Sequence, residues 1–141
     1  MRSIRMTAVR GPGWRISTVA LGAVAVLGIV AAPSQASSWT SKLVGAAPSF
    51  ESRHYADDGG PTNVKFSNCK DDYTNSKVNI VLRKDTVGPD PYYSTHTYTA
   101  CFAGGTSSGN WDDHGSGTYY WAVNDGLVNV HVWADPVVTN Y

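Results

Sequence analysis

The chain has 141 residues, with 11 Lys+Arg against 11 Asp+Glu and only two cysteines. The balance is uneven along it, since Arg2, Arg5, Arg10 and Arg15 precede the first carboxylate, Glu51. Set apart from its first 36 residues, the remainder carries 7 basic and 11 acidic groups. Such a surface excludes the Lys/Arg clusters that nucleic acid and anionic headgroups require.

Met1–Ala36 reads as a cleavable secretory signal peptide. Its basic start is followed by the apolar run Val19–Ala32, and then by Pro33-Ser34-Gln35-Ala36 with small residues at Ser34 and Ala36. The run is shorter than the roughly 20 apolar residues of a spanning helix. The expectation is a secreted, extracellular domain with no membrane partner after removal of the leader. The leader, rich in Ala, Gly and Val, resembles those of Gram-positive actinobacteria.

The next segment, 37–60, reads as an N-terminal arm or a first strand, and 61–141 as the core of one β-domain. Alternation of apolar and polar residues, the strand signal, recurs from here on. Thr62–Cys69 sets Val64 and Phe66 against Lys65, Ser67 and Cys69. Lys77–Thr86 sets Val78, Ile80 and Leu82 against Asn79, Val81 and Arg83. Ser94–Phe102 sets His96, Tyr98, Ala100 and Phe102 against Thr95, Thr97, Thr99 and Cys101. The Gly/Ser-rich stretch Ala103–Asn110 reads as a long loop. Gly117–Asn124 sets Tyr119, Trp121 and Val123 against Tyr120 and Ala122. Leu127–Ala134 sets Val128, Val130 and Val132 against Asn129, His131 and Trp133. Asn124-Asp125-Gly126 suits a tight turn and predicts that these last two runs pair as a hairpin. Val137–Tyr141 adds a short last strand after Pro136.

Several short strands with frequent turns predict an all-β fold, a small antiparallel β-sandwich of immunoglobulin-like architecture. Cys69 and Cys101, an even pair in an exported chain, predict one disulfide. The alternation places both on the polar faces of their strands, so the bridge is expected outside the core.

No G-x-S-x-G or H-E-x-x-H motif is present, so no catalytic residue is assigned. The candidate ligand-binding residues are aromatic: Trp111, Tyr92, Tyr93 and Tyr120. Exposed rings of this kind stack on sugars or anchor protein contacts. The candidate metal residues are Asp71 and Asp72, for a weak extracellular calcium site, with no other cofactor expected. Asp71-Asp72-Tyr73-Thr74-Asn75-Ser76 resembles the calcium stretch of βγ-crystallins, two Asn/Asp, two free positions, then Ser/Thr and Ser. It departs from that pattern at Asn75, and Tyr98, Phe102 and Gly104 stand one residue too close for the partner aromatic motif. The resemblance implies a βγ-crystallin-like β-domain as the alternative fold.

The functional expectation is a monomeric, non-enzymatic binding domain for an extracellular polysaccharide or protein. Two alternatives stand beside it. One is an inhibitor or toxin-like protein acting through the Gly-rich loop. The other is a small hydrolase using a loop Asp or His.

Overall fold

The structure, a computed structural model, describes residues 37–124 and 130–141. Among the described residues, nine strands run in chain order as β1 (Ser38–Ala46), β2 (Tyr55–Asp57), β3 (Thr62–Ser67), β4 (Lys70–Asp71), β5 (Val78–Asp85), β6 (Tyr92–Tyr98), β7 (Thr106–Trp111), β8 (Gly117–Val123) and β9 (Val132–Asn140). One 3-10 turn, Ala100–Ala103, lies between β6 and β7. The first sheet has the order β1-β9-β3-β7, with β4 also paired to β9; the second has the order β2-β8-β5-β6. Every pairing is antiparallel. The protein is thus a small all-β sandwich, with the segment 38–46 as an edge strand.

The predicted inner faces meet between the sheets. Val64 and Phe66 from the first sheet pack with Val78, Ile80 and Leu82 from β5 and with Tyr119, Trp121 and Val123 from β8. The Phe66 ring stands edge-on to Tyr98 at 4.9 Å and to Trp121 at 5.3 Å. Burying a ring that carries an N–H or O–H requires a partner for it. Tyr98 Oη donates to the Val64 carbonyl at 2.6 Å, and Trp121 Nε1 donates to Thr139 Oγ1 at 3.1 Å. Both bonds tie the second sheet to the first. On the outer side of the second sheet, Val81, Tyr120 and Ala122 form a small separate cluster.

Three expectations are corrected. The predicted hairpin does not form, because β8 is flanked by β2 and β5 in the second sheet while β9 is a central strand of the first. Both edges of β8 are therefore occupied. Asp125, Gly126 and the start of the predicted run Leu127–Ala134 lie outside the described residues. The predicted Gly/Ser loop is largely strand β7, with Ser107, Gly109 and Trp111 on its buried face. Its inward residues are small because neighbouring groups already fill the space: a Cβ on Gly109 would lie 2.7 Å from Tyr98 Oη.

The third correction concerns the disulfide. Cys69–Cys101 is formed, yet both cysteines are buried within the main core cluster rather than outside it. Asn68 takes a positive φ of 50°, which is tolerated by Asn better than by most residues. That kink turns Cys69 onto the face of Phe66. Pairing resumes in step beyond it, from Phe66↔Val137 to Lys70↔Trp133, and Asn68 Nδ2 bonds the Asp135 carbonyl at 2.7 Å. The two strands therefore kink together. Cys101 sits not on a strand but on the 3-10 turn, where its N–H is held by Ser107 Oγ at 2.9 Å.

Candidate functional site

The four aromatic candidates do not form one surface. Trp111 is buried, with Nε1 donating to the Ser94 carbonyl at 2.6 Å, which closes the sandwich along β6 and β7. Tyr93 is half-buried and stacks on His114 at 3.7 Å. Tyr120 is 2 % exposed and lies under the His54 ring at 4.5 Å, its hydroxyl donating to Asp90 Oδ2 at 2.8 Å. Burial raises the Tyr120 phenol above its ordinary range. The bond from the Thr86 N–H, then that from Tyr120, holds the Asp90 carboxyl below its ordinary range. Only Tyr92 is open, opposite Arg83 on the outer side of the second sheet. Trp111 and Tyr120 thus contribute to packing and offer no stacking face.

Asp71 and Asp72 are brought to different partners. The Asp71 carboxylate accepts the Ser76 N–H at 3.0 Å, closing the turn that follows β4. Asp72 Oδ2 meets His131 Nδ1 at 2.6 Å and ties that turn to the start of β9. Among the described residues, no group of three or more His, Cys, Asp or Glu converges where a metal could sit. His54 is likewise engaged, by Asp85 at 2.8 Å.

Besides Tyr92, Tyr73 and Phe50, the fold leaves one tryptophan among the exposed aromatics of the described residues, Trp133. Alternation on β9 places Val132 and Ala134 inward, which turns Trp133 to the outer side of the first sheet, where it is 37 % exposed. A register shift between Leu43 and Ala46 on β1 gives this strand an extra residue beside it. Gly45, at φ 62°, fills that place, and a Cβ there would lie 3.5 Å from the Trp133 ring. The glycine adopts the left-handed backbone of this bulge, and the added Cβ would make only ordinary contact with the indole. His131 flanks the ring at 6.4 Å.

Trp133 forms one wall of a shallow groove of about 600 Å³, with Lys42, Val44, Asn68, Lys70 and Asp135 around it. Lys70 is its direct cross-strand neighbour on β4. Farther along the same outer face the strands carry amides and hydroxyls. Asn63 Nδ2 bonds Ser108 Oγ at 2.7 Å and also reaches Asn110, Asn140 Nδ2 bonds Asn63 Oδ1 at 3.3 Å, and Ser67 pairs with Thr106 at 2.8 Å. A held ring beside a polar sheet face can stack on an apolar sugar face while the polar groups meet its hydroxyls.

Sequence reasoning missed Trp133, although the signal was present. It falls on the polar side of its run together with Asn129 and His131, the position where a large ring has no core to enter. Comparison of the chain with known families, with curated proteins and with solved structures gave no match.

Proposed function

We propose that the chain is exported, loses Met1–Ala36, and acts outside the cell as a non-enzymatic domain that binds a polysaccharide through the outer face of its first sheet. The observation that supports this most is Trp133. A tryptophan left over a third exposed costs apolar burial, yet here it is fitted against Gly45 and bordered by amine, amide and carboxylate groups. Such a ring offers a stacking face at little entropic cost on binding, because the strand already orients it. The buried disulfide suits an oxidising compartment.

The test is retention of the disulfide-bonded protein on insoluble cellulose, chitin and bacterial cell wall, with Trp133→Ala beside it. Binding to at least one polymer that weakens at least tenfold in the variant, at an unchanged melting temperature, supports the reading. No retention on any polymer, or equal retention by both proteins, overturns it. Mass measurement of the exported protein tests the leader: a mature chain beginning at Ser37 is expected.

A further inference from the structure

We infer that a second cleft, on the open side of the sandwich, binds a small aromatic carboxylate. It lies between edge strand β1 and the segment 50–53 that leads into β2, and has a volume of about 180 Å³. Trp39, Leu43, Phe50 and Trp121 line its apolar part, and Lys42 and Arg53 are the charged groups on its lining. The 50–53 segment separates its two kinds of charge, with Arg53 on the lining of this cleft and Glu51 outside it. Phe50 and Ser52 face this cleft, whereas the intervening Glu51 lines a separate depression over the second sheet. The carboxylate nearest in sequence is thereby turned away, and two cations remain beside an aromatic cavity.

Size selects the occupant. An apolar cavity of about 150 Å³ takes one benzene ring, so this cleft of about 180 Å³ accommodates a single ring with its substituent at the mouth. Charge selects the substituent. The Arg53 guanidinium carbon lies 4.3 Å over the Trp39 ring, a cation–π contact that holds the group in place. Among the described residues Arg53 has no carboxylate partner. A planar fork so held, with its donors open, matches a carboxylate better than a neutral amide or alcohol. Ser52 Oγ accepts the Trp121 N–H at 3.0 Å and donates to the Arg53 carbonyl at 3.0 Å, so the backbone that carries Arg53 is fastened to the core. The cleft shares Lys42 and Leu43 with the groove beside Trp133, but Trp133 itself is not on its lining.

The experiment is a titration of the disulfide-bonded protein with benzoate, and with neutral benzamide as the isosteric control. The readout is the indole N–H signal of Trp39 in two-dimensional NMR, assigned from Trp39→Phe. Benzoate is expected to move that signal saturably, with a dissociation constant on the order of 1 mM for so small a ligand. Benzamide is expected to bind at least tenfold more weakly. Arg53→Gln should weaken benzoate at least tenfold and leave benzamide unchanged, while Trp133→Ala changes neither. Raising salt from about 20 mM to about 0.5 M should weaken benzoate severalfold without a variant, since the cations are screened. Equal binding of the two ligands, benzoate affinity unaffected by Arg53→Gln and by salt, or movement of the Trp133 signal in place of Trp39, overturns the inference.

Discussion

Replacing Gly109 with alanine tests whether β7 is glycine-bearing because the core around it is already full. Gly109 has ordinary strand backbone, so alanine meets no conformational barrier, and the effect comes from contact alone. The new Cβ would lie 2.7 Å from Tyr98 Oη and 2.8 Å from Trp111 Cη2, well inside the 3.4 Å at which ordinary contact begins. Neither ring can retreat freely. Tyr98 is anchored on the Val64 carbonyl and Trp111 on the Ser94 carbonyl, each at 2.6 Å. Overpacking costs about 1–3 kcal/mol, and breaking the buried tyrosine bond adds about 1–3 kcal/mol. The lower chain entropy of alanine returns about 0.5–1 kcal/mol. The net expectation is a loss of about 3 kcal/mol. With a urea dependence of about 1–1.5 kcal/mol per molar for a domain of this size, the unfolding midpoint should fall by about 2 M. Tyr98→Phe removes one of the two clashing atoms, so the double variant should be less destabilised than the sum of the single ones by about 1 kcal/mol. A Gly109→Ala protein with an unchanged or raised midpoint refutes the packing argument.

Other outcomes follow from the same geometry. Replacing both Cys69 and Cys101 with alanine opens a loop of 32 residues' separation. In the chain-entropy account that costs about 3.5–4 kcal/mol, and at about 4–8 °C per kcal/mol the melting temperature should fall by at least 14 °C; a fall of only a few degrees would show that the bridge constrains little. Tyr120→Phe removes one of the bonds that depress Asp90, so its pKa, followed by carboxyl NMR, should rise toward the ordinary carboxylate value. The sign follows from the folded pKa lying below the unfolded one. The contribution of Asp90 to stability is complete above the unfolded pKa and is lost as pH falls through the folded pKa. The variant should therefore lose this part of its stability at a higher pH than the parent, and an unmoved Asp90 titration would exclude the tyrosine as a cause.

Much of the fold was legible in the chain because alternation reports a half-buried strand directly. Val78, Ile80 and Leu82 on β5, and Tyr119, Trp121 and Val123 on β8, all face the core as their spacing requires. The failures share one cause, which is that a local pattern carries no information about what lies opposite. Ala103–Asn110 looks like a loop because its inner positions are Ser107 and Gly109; Tyr98 and Trp111 occupy the space beside Gly109, and Ser107 Oγ holds the Cys101 N–H. Asn124-Asp125-Gly126 suits a hairpin turn, but the edge of β8 that a hairpin would need is taken by β2 and β5.

The sequence by itself determined the strand character, the inner faces of β3, β5 and β8, and the pairing of the two cysteines, since each depends on residue type and short spacing. Only the tertiary structure decided where the bridge lies, because a single left-handed residue, Asn68, reverses the face on which Cys69 falls. It also decided which aromatics are surface. Trp111 and Tyr120 are covered by Ser94 and His54 from elsewhere in the chain, while the bulge at Gly45 leaves Trp133 fitted and open. Exposure is a property of neighbours brought together by folding, and the order of strands that brings them is set by which edges remain free.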